Sequence, residues 1–234
     1  MIIIQKIIEW WNTYVQQNGY NFFEMFLFMS GFALWVVAYI HIIKNTYKYG
    51  FNEMPMLVAT GNWAWEFIWS FLFKGDLGNP FMWGCRMWFF LDIVINYTSY
   101  RYGKNKVPSP APSNLHKPLY IFSYIAWFAI VYAMGREGDD NQLGVLSALV
   151  INVAMSALYV YQLFAAPERR GKGISYHVAW YKMVGTGVIS LAGAIHWFGN
   201  RYLIALGVIS FILDAWYIYL FKTFKPLNQS ESYD

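Results

Sequence analysis

The sequence predicts an all-α membrane protein: a bundle of seven transmembrane helices behind a short amphipathic interfacial helix. Three observations carry this. Of 234 residues, 58% are hydrophobic and 13% charged, whereas soluble domains are about half apolar and about a quarter charged. The charges cluster, so that windows such as 22–43, 143–166 and 202–221 carry almost none. About 20 apolar residues in a helix cross roughly 30 Å of hydrocarbon. Lys and Arg are also shared unequally between alternate connections, which predicts an orientation.

The first element occupies residues 1–20. Ile3, Ile4, Ile7, Ile8, Trp11, Tyr14 and Val15 recur at helical spacing, with Gln5, Lys6, Glu9 and Asn12 opposite. That pattern predicts a helix lying in the interface plane. It lacks a basic leader and a small-residue cleavage site, so it does not read as a cleavable signal. Seven apolar spans follow at 22–43, 55–73, 80–100, 118–134, 143–166, 174–198 and 202–221. Proline opens the second, third and fourth, where its missing N–H costs nothing. The connections are short; the longest, 101–117, holds the solvated run KNKVPSPAPS. Residues 22–222 then form the bundle and 223–234 a polar tail, so 1–234 is expected to be one domain with its function inside the bundle.

Orientation follows from the basic residues. Lys44, Lys48, Arg101, Lys104, Lys106, Lys117, Arg169, Arg170, Lys172, Lys222 and Lys225 fall on one side. Lys6, Lys74, Arg136 and Arg201 fall on the other, and Arg86 and Lys182 lie within spans. Eleven against four predicts an N-terminus outside and a cytoplasmic C-terminus. The expected location is a bacterial cell membrane or, in a fungus, the endoplasmic reticulum. A single cysteine, Cys85, excludes an internal disulfide and a thiolate metal cluster. The net charge of +4 resides in loops, with no basic stripe for nucleic acid.

Ionisable groups inside spans cost a few kcal/mol each and are functional candidates by default. They are Glu66 in the second span, Arg86 and Asp92 in the third, Lys182 and His196 in the sixth, and Asp214 in the seventh. Glu24, His41 and His177 stand near span ends, where snorkelling is expected. At about 1.5 Å per residue, the three intramembrane acids lie within roughly 10 Å of one another in depth, so one outward-opening cavity is expected to reach all three. Asn62, Glu66, Trp69 and Phe73 share one predicted helix face; Trp88, Asp92 and Asn96 another; Ser210, Asp214, Tyr217 and Phe221 a third. Arg86 and Lys182 are expected to bridge helices by pairing with acids. Aromatic residues make up 21% of the chain, more than interfacial belts require. A polar, aromatic-lined chamber in a seven-helix bundle leaves transporter, receptor and enzyme open.

Several classes fit poorly. A retinal protein needs a lysine midway along its last helix, but Lys222 is at the end of that helix and the mid-span lysine is Lys182 on the sixth. A hormone receptor needs longer loops and usually a disulfide. A carrier built from repeated halves should show a counterpart of the second-span Trp-Glu in the sixth span, and none is there. An enzyme acting on a lipid-soluble chain fits better: ring faces stabilise a passing carbocation. A carboxylic acid among them stays protonated and ready to donate, and dry walls keep water from the cation. No DDxxD-like cluster is present for a diphosphate and magnesium.

N-W-A-W-E-F at 62–67 and L-D-A-W-Y-I at 213–218, in the right spans and order, resemble the small seven-span membrane terpene cyclases of fungal meroterpenoid and indole-diterpene pathways and their bacterial relatives. The stretch from Arg170 and Gly171 through Ser175 to Gly185 and Thr186 is similar too. Trp216 stands where the fungal pattern would lead one to expect tyrosine. The resemblance implies protonation of the terminal epoxide or alkene of a linear farnesyl or geranylgeranyl chain, often joined to an aromatic unit, without a cofactor or metal. It implies Glu66 and Asp214 as the essential acids: Glu66 the donor, Asp214 a second acid or relay. Arg86, Asp92, Asn62 and Lys182 would support them, and Trp63, Trp65, Trp69, Trp88 and Tyr217 would line the path of the cation. The partners implied are a lipophilic prenylated substrate and membrane lipid, with an epoxidase and a prenyltransferase acting upstream. The alternative is a small proton-coupled transporter or sensor using Glu66, Asp92 and Asp214.

Overall fold

The amphipathic first element is helical in the computed structural model, which describes residues 2–103, 113–140 and 143–223. Helix α1 (Ile2–Trp10) leaves Ile3, Ile4, Ile7 and Ile8 more than half exposed. It runs on as a π-helical turn, Trp11–Gln16, which changes the phase of the stripe and brings Val15 into the core. The element is tied to the rest of the chain at its far end. Trp10 Nε1 donates to the Leu77 carbonyl at 2.8 Å, and Asn18 Nδ2 to that of Asp76 at 2.9 Å.

Seven further helices follow: α2 (Phe22–Tyr49), α3 (Met56–Phe67), α4 (Gly78–Gly103), α5 (His116–Glu137), α6 (Val145–Ala165), α7 (Tyr176–His196) and α8 (Arg201–Thr223). Each coincides with one apolar span. Local chemistry starts them. Asn21 and Glu24 form a reciprocal capping box at α2. Pro55 caps α3, Pro80 and Pro118 sit in the first turns of α4 and α5, and Ser175 caps α7. Five of these helices, α2, α5, α6, α7 and α8, are long and apolar enough to cross a membrane. The other two fall short for separate reasons. Helix α3 has twelve α-helical residues before a π-helical turn, Ile68–Leu72. Helix α4 has 26 residues, but Asn79, Arg86, Asp92 and Asn96 dilute its apolar content. The Lys104–Pro112 part of the Pro/Ser-rich loop, residues 141–142 and the tail beyond Thr223 lie outside the described residues.

The helices close on themselves. Helix α2 packs along α7, α7 on α8, α8 on α6, α6 on α3, α3 on α4, and α4 back on α2, while α5 lies outside against α3. Small residues permit the closest crossings. A Cβ on Gly31 of α2 would meet the Gly185 carbonyl of α7 at 2.7 Å, so α2 and α7 touch backbone to backbone. One on Gly61 of α3 would meet the Trp127 indole of α5 at 3.1 Å. Polar ladders lock the α3–α4–α5 side. Asn96 Nδ2 donates to the Ala59 carbonyl at 3.0 Å, and Tyr124 donates to Asn96 Oδ1 at 2.7 Å. Thr60 and Ser123 hydroxyls meet at 2.5 Å. In a membrane such groups need internal partners, because lipid supplies none.

Candidate active site

Inside the ring is a cavity of about 110 Å³. Five helices line it: α2 with Phe32, Trp35 and Tyr39, α3 with Asn62, Trp65 and Glu66, α4 with Trp88, α6 mainly with aliphatic side chains, and α7 with Thr186 and Ile189. Helices α5 and α8 stand behind and contribute no lining residue among those described. Glu66 is the one carboxyl among the described residues that line the cavity, and it is 3% exposed.

Its surroundings are ordered. Asn62, one turn earlier on α3, donates from Nδ2 to the Tyr39 hydroxyl at 2.9 Å. Tyr39 in turn donates to Glu66 Oε1 at 3.2 Å. Because an amide N–H occupies a lone pair of the Tyr39 oxygen, the phenolic hydrogen is directed at Glu66. The Asp92 carboxyl of α4 is fully buried near Glu66, and among the described residues neither of its oxygens nor Glu66 Oε2 has a hydrogen-bond partner. Among the described residues no cation pairs with Glu66 or Asp92. Two adjacent buried carboxylates cannot both ionise without a compensating charge. Oε1 is taken by Tyr39, and Oε2 has no hydrogen-bond partner among the described residues. Trp65 and Trp88 flank this acid on the cavity wall; Trp65 Nε1 is fixed on the Gly144 carbonyl at 2.8 Å.

The other acid of the sequence motif is elsewhere. Asp214 of α8 is 4% exposed and is ion-paired with Lys182 of α7, itself 1% exposed. Lys182 Nζ also donates to Ser156 Oγ of α6 at 2.6 Å and stands 5.9 Å from the centre of the Tyr159 ring. Neither Asp214 nor Lys182 is among the cavity-lining residues. The expectation that a single cavity reaches all three acids therefore meets a different arrangement. Glu66 and Asp92 are neighbours, and Asp214 is spent on the lysine one helix away. Lys182 bridges helices as expected. Among the described residues Arg86 pairs with no acid: its Nε donates to the Ser70 carbonyl at 3.3 Å, and its guanidinium lies 4.7 Å from the centre of the Trp83 ring.

The aromatic candidates divide in the same way. Trp65 and Trp88 line the cavity. Trp63 stacks on Phe67 at 5.6 Å and meets Tyr124 at 5.1 Å, on the α4–α5 side of α3. Trp69 packs against Phe73 and Tyr217 against Tyr159 at 5.7 Å. The Trp69 ring lies 6.4 Å from that of Trp65 but is not among the cavity-lining residues. Glu24, expected to snorkel, is 4% exposed and accepts from His196 Nδ1 at 3.3 Å. Phe32, Trp35 and Tyr39 on the first span escaped the sequence reading, although their i, i+3, i+7 spacing marks one helix face. That span carries no charge near its middle to draw attention to it.

Comparison with known proteins can be placed on this geometry. The family model described as Pyr4-like transmembrane terpene cyclases matches residues 14–226. A curated relative, terpene cyclase cle7 of Aspergillus versicolor, is 27% identical over 155 residues, 65% of this chain and 63% of the relative. The chain thus spans somewhat less than two thirds of that relative's length. No solved structure matches the chain.

Proposed function

This chain belongs to the Pyr4-like transmembrane terpene cyclases, and we propose that it closes rings on a linear prenyl chain by proton transfer from Glu66. Family membership and the apolar helices support a multi-pass membrane enzyme of terpenoid cyclisation. The observation that carries the finer reading is the lone carboxyl in the cavity wall, directed by Tyr39, backed by Asp92 and flanked by indole rings.

In this reading Glu66 Oε2 gives its proton to the terminal epoxide oxygen or terminal alkene carbon of a farnesyl or geranylgeranyl substrate. Opening of the epoxide, or addition to the alkene, leaves an electron-poor carbon that the next double bond attacks, forming a C–C bond and moving the cation inward. Trp65, Trp88, Trp35 and Phe32 present ring faces to the migrating charge. The Glu66–Asp92 pair, left one proton short by the first step, takes back a proton lost from carbon, so product and substrate are isomers and the acid is restored. Asp92 is assigned the role of keeping the proton on the pair. Asp214, held on Lys182, acts from outside the cavity wall. An epoxide needs a modest acid and an alkene a stronger one. We assign the substrate to the meroterpenoid class, made upstream by a prenyltransferase and an epoxidase. In the same reading α2 to α8 all cross the membrane, with the N-terminus outside and the C-terminus cytoplasmic.

The experiment is direct. Membranes containing the protein are incubated with a farnesylated phenol bearing a terminal epoxide, and an isomer of equal mass is sought. The wild type is expected to produce it and Glu66→Gln is not. A proton-coupled transporter would return the substrate unchanged, and full product formation by Glu66→Gln would remove Glu66 from the mechanism.

A further inference from the structure

The acid is not the only polar feature of the cavity wall. Asn152 of α6 and Thr186 of α7 both line it, each 5% exposed. Among the described residues neither the Nδ2 nor the Oδ1 of Asn152 has a hydrogen-bond partner, and neither has Thr186 Oγ1. A buried polar group without a partner is destabilising, and the great majority in folded proteins are satisfied. Inside a membrane, lipid offers no substitute.

Their register is fixed from behind. The Lys182–Ser156 hydrogen bond joins α7 to α6. These helices are consecutive and joined by a short connection, so they run antiparallel. Asn152 is four residues before Ser156 and Thr186 four residues after Lys182. Four residues, about 6 Å, along each helix in the same direction therefore bring both to one level of the wall. They do not hydrogen-bond to each other, and both face the same cavity. An amide offers donors and an acceptor together, and the threonine hydroxyl offers one of each. A group that both donates and accepts satisfies them best, and that group is a hydroxyl.

The geometry points to Asn152 and Thr186 as a hydrogen-bonding subsite for a hydroxyl carried by the prenyl substrate, separate from the acid that starts the reaction. The inference rests on the cyclase reading for the identity of the chain bound, and it makes the α6–α7 wall the part of the cavity that sets substrate orientation. An ordered water offers the same hydroxyl chemistry, and the test separates the two.

The probes are farnesol, farnesyl methyl ether and farnesene, one chain with a donor–acceptor oxygen, an acceptor oxygen and none. Binding to the full chain in detergent micelles is read from quenching of tryptophan fluorescence. Differences in micelle partitioning cancel when each variant is compared with wild type. Wild type is expected to prefer farnesol over farnesene by about tenfold, equivalent to about 1.4 kcal/mol, with the ether between them. Asn152→Leu should bring the three probes together, and Thr186→Val should narrow the gap. Asn152→Leu should melt no lower than wild type, because it removes an unsatisfied amide from an apolar wall. Should it melt lower, Thr186→Val, which keeps the side-chain shape, decides. Equal binding of all three probes to wild type, as expected if water occupies the subsite, overturns the inference. So does a preference that survives both substitutions. Neither readout needs turnover. Failure of any linear substrate to yield a ring-closed isomer would sink the cyclase reading and leave this binding result standing.

Discussion

Asp214→Asn is expected to weaken the fold before it touches any chemistry. The variant removes the counter-charge of Lys182, which is 1% exposed and has Ser156 as its other hydrogen-bonding partner. Stranding one member of a buried ion pair costs about 3–5 kcal/mol. For a chain of this size each kcal/mol moves the melting point by about 2–4 °C, so a fall of about 6–20 °C is expected. The assay is thermal unfolding in detergent, followed by tryptophan fluorescence. Lys182→Met combined with Asp214→Asn replaces both charges and should recover most of the loss, since a buried pair exchanged for neutral groups of similar volume is often neutral or stabilising. An Asp214→Asn variant melting within about 2 °C of wild type, well under the shift that such a cost implies, would refute the argument from burial. The recovered double variant then separates two roles. Restored cyclisation makes Asp214 a positioning residue that holds the α6–α7 wall. Lost cyclisation in a protein that melts normally makes it a second acid.

Glu66→Gln should abolish ring closure while melting at or above the wild-type temperature, because no cation depends on Glu66; product mass analysis and a melting curve check both. Tyr39→Phe keeps the ring and deletes the hydrogen bond to Oε1, so turnover should fall by about tenfold or more with KM unchanged. An unchanged kcat would remove Tyr39 from the donor's support. Gly144→Ala forces an alanine into a left-handed conformation at φ 66° and drives its Cβ to 2.2 Å from Trp69 Nε1. A loss of about 3 kcal/mol is expected, read as a lower denaturation midpoint. A reporter fused after residue 234 should signal from the cytoplasm; a signal from outside would reverse the assigned orientation.

The positions of the helices were legible because hydrophobic windows and prolines report on single segments. What one segment cannot report is its neighbour. The pairing of Lys182 with Asp214 joins residues 32 positions apart on different helices, and helical spacing says only that each faces inward. Helical spacing puts Trp69 on the face of Glu66, but spacing does not say which ring reaches the cavity: Trp65 lines it, with the Trp69 ring beside Trp65. Tyr39 was missed because a tyrosine in an aromatic span looks ordinary until its hydroxyl is seen between Asn62 and Glu66. Glu66 itself was legible for the opposite reason: a carboxyl among tryptophans conflicts with everything around it. Helices α3 and α4, which carry Glu66 and Asp92, are also the two that fall short of the span criteria by length and composition. On α4 the polar residues clustered around Asp92 reduce the apolar content that the criterion requires.

The chain Asn62–Tyr39–Glu66 has a direction. An amide nitrogen that has donated its hydrogen bond is a dead end for proton traffic, and on the other side Asp92 is sealed from solvent, so the one face through which Glu66 exchanges protons is the cavity it lines. Under the proposed chemistry the hydrogen that opens a cycle leaves in the product and is replaced by one taken from a substrate carbon at the close, so while substrate fills the cavity no solvent proton is needed. An enzyme moved into deuterated water just before an alkene-terminated substrate is added should place ordinary hydrogen on carbon in its first products, with the label entering only as fast as Glu66 exchanges through the cavity.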